Sequence, residues 1–208
     1  MPPSRLYENR LLRNGAQRVA GVDEAGRGPL AGPVVAAAVV LPREWKVTGL
    51  DDSKQLTPLQ REELFALIVA AADVGVGIAD DRLNIRRAAW QAMQEALRQL
   101  SPPPDHVLID GVWRDMSPFP YTPLVKGDSK SLSIAAASIV AKVTRDRLMS
   151  ELDAQFPHYG FAQHKGYPTP AHLAALRAHG PCPAHRRSFA PVRDCLQPKL
   201  FKEASERV

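Results

Sequence analysis

Two apolar runs joined by a turn rich in glycine and proline constrain the fold of this chain most strongly. Residues 18–23 read RVAGVD and residues 34–41 read VVAAAVVL, with AGRGPLAGP between them. Short apolar runs bounded by such turns are typical of buried strands. We therefore expect a hairpin whose second strand is fully buried.

Helix and strand patterns alternate along the rest of the chain. Helices are predicted at residues 57–72, 81–100, 131–152 and 169–180, and strands at 73–80, 106–110 and 121–125. Thr57 and Thr169 are suited to cap helices, and the many Ala and Ser residues of the third helix would let its backbone pack close to a sheet. One face of the second helix carries apolar residues at Ile85, Ala89, Met93, Ala96 and Leu100. The pattern predicts an α/β fold, a mixed sheet with helices around it and a small helical C-terminal extension.

Charge divides the chain into a neutral body and a basic tail. Residues 1–160 contain 19 Lys and Arg against 19 Asp and Glu, whereas residues 161–208 contain 8 against 3. A locally basic segment suits a protein that binds a polyanion, although a solvated charged tail would look the same. We expect a polar leader at 1–17, one catalytic domain at 18–160 and a basic helical segment at 161–208 packed on that domain.

Length and composition favour a soluble intracellular protein. The chain has 208 residues, 45% of them hydrophobic, and no apolar run long enough to span a membrane. Cys182 and Cys195 lack the spacing of a metal site, and two thiols in a chain of this length are not a disulfide framework. We expect both cysteines to be reduced.

Four acidic residues follow apolar runs that are predicted as strands. Asp23 and Glu24 come after RVAGV, Asp110 ends HVLID and Asp128 follows YTPLVKG. Strands of one sheet share an edge, so these carboxylates can meet there, although spacing alone also allows ordinary strand-end residues. Gathered carboxylates repel unless divalent cations neutralise them, and a set of oxygen ligands favours Mg²⁺ or Mn²⁺ over Zn²⁺.

The adjacent positions of Asp23 and Glu24 restrict how they can share a site. Neighbouring residues of a straight strand point to opposite faces of the sheet. We therefore expect the strand to end or bend at these residues, and Gly26 and Gly28 make a bend possible.

Six sequence blocks closely resemble bacterial ribonuclease HII. They are GVDEAGRGPLAGPVV at 21–35, DDSKQL at 51–56, LIDG at 108–111, KGDSKSLSIAAASIVAKVTRDR at 126–147, YGFAQHKGYPT at 159–169 and HRRSF at 185–189. The resemblance implies a ribonuclease H-like fold with a central mixed β-sheet flanked by helices. It also implies an endoribonuclease that hydrolyses the RNA strand of RNA–DNA hybrids and nicks duplex DNA 5′ to embedded ribonucleotides. Such an enzyme leaves 5′-phosphate and 3′-hydroxyl ends and serves ribonucleotide excision and RNA primer removal.

The same resemblance identifies Asp23, Glu24, Asp110 and Asp128 as the family's four active-site acids. They would hold Mg²⁺ or Mn²⁺, with two ions during catalysis, and water activated by metal would attack the phosphodiester in line. Gly26, Arg27 and Gly28 match the element that reads the junction between a ribonucleotide and the next deoxynucleotide. Glycine lets backbone approach the sugar, whose 2′-OH distinguishes RNA from DNA.

Tyr167 matches the family tyrosine that stacks on the deoxynucleotide sugar and bonds the ribose 2′-OH, although it could also be a half-buried core residue. Further substrate contacts are implied at Lys54, Ser138, Lys142, His164 and Lys165. Lys142 precedes Asp146 by four residues, so a helical ion pair is the alternative to phosphate binding. Arg186 and Arg187 could follow a nucleic-acid backbone or pair with acids.

The implied partners are RNA–DNA hybrids and duplex DNA that contains ribonucleotides. We expect a cytoplasmic monomer with no obligate protein partner and no membrane contact. A short leader distinguishes this chain from ribonuclease HIII, which has a long N-terminal substrate-binding domain. Two alternatives are a junction resolvase or DNA exonuclease on the same fold, which would lack the G-R-G element, and a non-catalytic hybrid-binding module, which would have lost an acid.

Overall fold

A computed structural model describes residues 2–45, 48–80, 84–113 and 118–196 of the chain. The strands are β1 (Val19–Ala25), β2 (Val34–Val40), β3 (Asp73–Ala79), β4 (His106–Asp110) and β5 (Tyr121–Leu124). The helices are α1 (Leu6–Arg13), α2 (Pro58–Ala71), α3 (Ile85–Arg98), α4 (Leu132–Gln155), α5 (Phe161–His164), α6 (Pro170–His179) and α7 (Ala190–Leu196), with a 3₁₀ turn at Gly127–Ser129. The predicted elements are confirmed, except that residues 81–83 of the second predicted helix and the end of the basic segment, 197–208, lie outside the described residues.

The predicted hairpin forms the middle of a mixed sheet with the strand order β3-β2-β1-β4-β5. Strand β2 runs antiparallel to β1 and β3, whereas β4 runs parallel to both β1 and β5. Every residue of β2 except Val40 is buried, because the strand has neighbours on both sides and packed layers on both faces. This position explains the continuous apolar run in the sequence.

Small residues let the helices approach the sheet closely. A Cβ atom on Gly77 would lie 1.9 Å from the carbonyl oxygen of Ala92 in α3. On the opposite face, a Cβ atom on Gly21 of β1 would lie 2.1 Å from the carbonyl carbon of Ser133 in α4. The expected close packing of α4 on the sheet is confirmed, and the glycines are required because backbone occupies the space of a side chain.

The polar leader contains a helix that sequence analysis did not predict. Helix α1 packs Tyr7, Leu11 and Leu12 against the cluster around Val19. Its buried Glu8 accepts hydrogen bonds through Oε1, and the donors are the hydroxyl of Ser131 and the hydroxyl and backbone N–H of Ser133. A carboxylate at the start of α4 satisfies a free backbone donor and interacts favourably with the helix dipole.

The Cα positions divide the chain into two compact units, the first comprising residues 1–27 and 33–148 and the second 28–32 and 149–208. The first contains the whole sheet. In the second, one apolar cluster gathers Ala31, Met149, Tyr159 and Phe161, and another gathers Leu30, Leu176 and Val192. Thr169 caps α6 by accepting from the backbone N–H of His172, as its position predicted. In the described part of the chain, no helix has both the length and the apolar character of a membrane span.

Candidate active site

Strand register brings two of the predicted acids side by side. Strands β1 and β4 run parallel with Val22 beside Ile109, so the next residues, Asp23 and Asp110, are neighbours at one level of the sheet. Asp23 is only 6% exposed. Two carboxylates 87 residues apart in sequence are therefore brought beside each other by the parallel pairing of β1 and β4.

Glu24 corrects one expectation from the sequence. Strand β1 does not end at Asp23 and Glu24, because its hydrogen-bonded pairing with β2 continues as far as Ala25. The turn begins with Gly26, whose φ angle of +98° lies in the region that favours glycine. Arg27 then reaches back from this turn, and its Nη1–H donates to Glu24 Oε1 at 2.9 Å.

The fourth acid lies in the 3₁₀ turn that follows β5. The backbone N–H of Gly127 donates to Asp110 Oδ1 at 2.5 Å, which ties this turn to the end of β4. Asp128 is buried beside it, with its Oδ2 3.5 Å from the Nζ atom of Lys54. This backbone contact holds the turn with Asp128 near Asp110. It uses Oδ1 of Asp110 and leaves Oδ2 of Asp110 out of the contact.

The four acids interact electrostatically. Burial raises the pKa of Asp23 well above its ordinary value, and the charges of Glu24 and Asp110 raise it further. Burial also raises the pKa of Glu24, although the Arg27 hydrogen bond opposes the shift and Asp110 adds to it. Burial and nearby carboxylates, Asp110 among them, raise the pKa of Asp128. Each shift shows that negative charge at this edge is costly without a cation.

The donor set fits a hard divalent cation. It consists of carboxylate oxygens, and the buried Oε2 atom of Glu24 has no hydrogen-bond partner among the described residues. Within those same residues, no three His, Cys, Asp or Glu side chains already stand together as a metal-binding group. Glu24 and Asp128 instead face the chain's own cations, Arg27 and Lys54. The acids form a shared region of negative potential rather than a closed ligand cage.

An open cleft of about 730 Å³ lies over this part of the sheet edge. Its lining residues are Pro2, Asp51, Asp52, Lys54, Gln55, Asp110, Lys126, Asp128 and Ser129. Burial alone would lower the pKa of Lys54, but the neighbouring carboxylates of Asp52 and Asp128 raise it. Asp51, Asp52 and Lys126 were not predicted as site residues, although the acidic pair directly before Ser53 and Lys54 was a visible signal.

Gly26 is held where no other residue fits. A Cβ atom there would lie 2.1 Å from Nε of Arg145, a buried arginine of α4 that also donates to the carbonyl oxygen of Pro33 at 3.0 Å. The next residue, Arg27, has its guanidinium carbon 5.5 Å from the centroid of the Trp113 ring. Trp113 was not predicted from sequence, because its proximity depends on how the segment after β4 folds back.

In the second unit, Gly28 and Tyr167 are neighbours. Tyr167 is 45% exposed, and its Cε1 atom lies 3.5 Å from the position that a Cβ on Gly28 would occupy. Arg186, 3% exposed, donates to the carbonyl oxygens of Pro29 and Gly32. The guanidinium of Arg186 thus holds the backbone that follows Gly28. Contact with a nucleic-acid backbone and pairing with an acid both stay predictions for this residue. Arg187 is exposed.

Two predicted substrate contacts on α4 have partners within the protein. Ser138 is 4% exposed, and its hydroxyl donates to the hydroxyl of Ser53 at 2.8 Å. Lys142 donates to Asp146 at 2.7 Å, which is the helical ion pair that the spacing allowed. Their roles in phosphate binding stay predictions, and the burial of Ser138 favours a structural role for its hydroxyl.

His164 and Lys165 precede Tyr167 in sequence, and their side chains contact other residues of the protein. An imidazole nitrogen of His164 lies 2.7 Å from the carbonyl oxygen of Tyr159, and Lys165 Nζ donates to the hydroxyl of Ser150 at 3.2 Å. Lys165 has a φ angle of +51°, so the backbone turns sharply before Tyr167. Their predicted substrate contacts stay untested.

Comparisons with known proteins give a consistent assignment. The family model described as ribonuclease HII matches residues 20–192. Ribonuclease HII of Geobacillus kaustophilus (strain HTA426) is 57% identical over 196 residues, which are 92% of this chain and 75% of that protein. Ribonuclease HII of Geobacter metallireducens is also 57% identical and covers 92% of both chains.

The fold agrees with solved structures. The crystal structure of ribonuclease H2 from Pyrococcus horikoshii OT3 matches with a TM-score of 0.72 and 29% identity, covering 86% of this chain and 97% of that one. The mixed five-stranded sheet with flanking helices is thus a ribonuclease H-like fold, as the sequence predicted. With the family match across nearly all of the described sheet and site, this chain belongs to the ribonuclease HII family of endoribonucleases.

Proposed function

We propose that this chain hydrolyses the RNA strand of RNA–DNA hybrids and also nicks duplex DNA 5′ to an embedded ribonucleotide. The observation that carries the proposal is the electrostatic coupling of Asp23, Glu24, Asp110 and Asp128 at one edge of the sheet. Such a group of buried carboxylates destabilises the fold, so its presence indicates a function that needs concentrated negative charge. In a family whose members are metal-dependent nucleases, that function is phosphodiester hydrolysis.

The proposed metal ligands are the same four acids. Asp23, Glu24 and Asp110 would be the main ligands, and Asp128 would complete the set. Bound Mg²⁺ or Mn²⁺ supplies neutralisation of charge and a water of lowered pKa. The unpartnered Oε2 of Glu24 gives a ligand oxygen that no other group of the described chain uses. Lys54, 3.5 Å from Asp128, is placed to attract a phosphate toward the cleft.

The residues proposed to read the ribonucleotide are Gly26 and Arg27 in the first unit and Gly28 and Tyr167 in the second. The conformation of Gly26 and the lack of a side chain on Gly28 leave backbone groups able to approach a sugar closely. The half-exposed ring of Tyr167 next to Gly28 offers a stacking surface and a hydroxyl for a 2′-OH. Arg27 would contact a phosphate when released from Glu24. This assignment predicts that one ribonucleotide in a DNA duplex suffices for cleavage.

The biological setting is part of the proposal. The basic segment at 161–208 would add affinity for nucleic acid that does not depend on base sequence. Within it, the guanidinium of Arg186 binds backbone carbonyls of the protein. We infer a monomeric cytoplasmic enzyme that needs no obligate protein partner and acts in ribonucleotide excision and RNA primer removal.

The test is cleavage of a labelled DNA duplex that contains one ribonucleotide, with Mg²⁺ or Mn²⁺ and an all-DNA duplex as the substrate control. Asp23→Asn is the inactive variant, and Glu95→Gln, which changes an exposed acid of α3, is the matched control. The expected result is one nick 5′ to the ribonucleotide with the wild type and with Glu95→Gln, and none with Asp23→Asn. Cleavage of long hybrids without cleavage at a single ribonucleotide would refute the reader assignment but leave the carboxylate site intact; no cleavage of either would refute both.

A further inference from the structure

A chain of buried histidines in the second unit ends at the backbone of Tyr167. An imidazole nitrogen of His172, Nδ1, lies 2.9 Å from the carbonyl oxygen of Tyr167. The other nitrogen of His172, Nε2, lies 3.1 Å from Nε2 of His185. Both histidines are buried, and the residue that they reach is the proposed reader of the ribose.

The protonation pattern of this chain follows from one backbone donor. The N–H of Cys182 donates to Nδ1 of His185 at 3.1 Å, so this nitrogen is an acceptor and the proton of a neutral ring is on Nε2. The thiol of Cys182, also 3.1 Å from Nδ1, can donate to the same nitrogen. His185 Nε2–H then donates to His172 Nε2, which leaves the proton of His172 on Nδ1. His172 therefore donates to the carbonyl oxygen of Tyr167.

The surroundings keep both rings neutral. Burial, and to a smaller extent the neighbouring His172, lower the pKa of His185 to about 4. Burial likewise lowers the pKa of His172. The ring of His164 stacks on that of His172 with centroids 4.4 Å apart. The N–H of Gly166 donates to Nδ1 of His164 at 3.2 Å. Each histidine thus has one tautomer in which all of these contacts are satisfied at once.

The backbone that leads into Tyr167 is held by further hydrogen bonds. Its own N–H donates to the carbonyl oxygen of His164 at 2.9 Å. One residue earlier, the carbonyl oxygen of Gly166 accepts from the N–H of Leu30 at 2.8 Å. Leu30 belongs to the segment whose carbonyl groups Arg186 holds, and Gly28 begins that segment. The loop with Gly28 and the turn with Tyr167 are therefore linked by hydrogen bonds within the second unit.

We propose that His172, with its proton held on Nδ1 by His185, is a positioning residue that sets the ring of Tyr167 against Gly28. In this way it determines how efficiently the protein cleaves at a single ribonucleotide in DNA relative to a uniform RNA–DNA hybrid. The inference rests on the proposed reading role of Tyr167. His172 itself is fully buried and does not touch substrate. Its effect is on the orientation of a ring whose Cε1 atom is 3.5 Å from the Cβ position of Gly28. A misplacement of about 1 Å can cost about 100-fold in rate, so we expect a smaller shift of the Tyr167 ring to cost about tenfold.

The experiment compares His172→Asn with His172→Gln. The amide N–H of Asn reaches the position of Nδ1–H and keeps the bond to Tyr167, whereas that of Gln reaches the position of Nε2 and does not. His179→Phe, at an exposed histidine of the same helix α6, is the control, and Tyr167→Ala tests the reading role itself. For each variant, kcat and KM are measured on a duplex with one ribonucleotide and on a uniform RNA–DNA hybrid, beside the melting temperature and the ¹⁵N imidazole spectrum.

We expect His172→Gln to lower the ratio of kcat/KM on the single ribonucleotide to that on the hybrid by about tenfold. Tyr167→Ala should lower it at least as much, and His172→Asn and His179→Phe should leave it within about twofold to threefold. Equal ratios for His172→Asn and His172→Gln would overturn the inference alone. No change with Tyr167→Ala would overturn the reading role and the inference together. If His172→Gln does not fold, an Nε2–H tautomer of His172 in the wild-type spectrum would still refute the assignment.

Discussion

Asp23→Asn should abolish cleavage and at the same time make the metal-free protein more stable. Asp23 is 6% exposed and lies among three other acids, so its negative charge is disfavoured by burial and by like charges. Asn has the same shape and can still accept from the N–H of Glu24, as Asp23 Oδ1 does at 2.7 Å. The substitution therefore removes repulsion without removing the backbone contact.

The size of the effect follows from the cost of a poorly compensated buried group, which is about 1–3 kcal/mol. In a protein of this length, each kcal/mol shifts the melting temperature by about 2–4 °C. We expect Asp23→Asn to melt roughly 2–12 °C above the wild type in EDTA at neutral pH. If Asp23 is the catalytic acid that we propose, this cost in stability is the trade-off expected at an active site.

The pH dependence has a definite sign. The pKa of Asp23 is raised in the folded protein, so the wild type is relatively stable at acid pH, where the group is protonated in both states. That stability is lost as the pH rises through the raised pKa. Asn does not titrate, so the difference between the variant and the wild type should grow from acid to neutral pH.

Thermal unfolding followed by circular dichroism, in EDTA and across this pH range, measures the difference directly. Glu95→Gln controls for the loss of any one negative charge, because this acid is exposed on α3. Added Mg²⁺ or Mn²⁺ should raise the melting temperature of the wild type more than that of Asp23→Asn, since only binding to the folded state stabilises it. A variant that melts at or below the wild-type temperature in EDTA at neutral pH would refute the argument.

Three further predictions concern the fold. Gly21→Ala should destabilise the protein by about 3 kcal/mol or more in urea unfolding, because its Cβ would lie 2.1 Å from the backbone of Ser133. Glu8→Leu should cost about 2 kcal/mol in the same assay, since three donors at the start of α4 lose a charged acceptor, and an unchanged midpoint would contradict this reading. The folded-state pKa of His185, about 4 against an ordinary 6.5, means that stability is lost as the pH falls from 6.5 through 4. His185→Gln should reduce that loss in melting curves, and an equal loss in the variant would show that other groups cause it.

The elements nearest to one another in sequence were predicted best. The hairpin of β1 and β2 and the caps at Thr57 and Thr169 follow from local patterns, because a turn or a cap is decided by residues within a few positions. The helix at residues 6–13 was missed, since a short polar segment gives little periodicity and is stabilised by packing. The four acids were identified by resemblance to a family, whereas spacing alone left their convergence open.

Several features of the site depended on contacts between residues far apart in sequence. The register that sets Asp23 beside Asp110 depends on parallel pairing between β1 and β4, for which the sequence contains no local signal. The continuation of β1 through Glu24 depends on its ladder with β2, which carries the strand past the point where we expected it to end. The hydrogen bonds of Arg186 to Pro29 and of His172 to Tyr167 likewise depend on carbonyl groups that the fold places beside these side chains. The sequence by itself determined the elements and the chemical groups available, and the tertiary structure decided which of them meet, because convergence is a property of packing between distant segments.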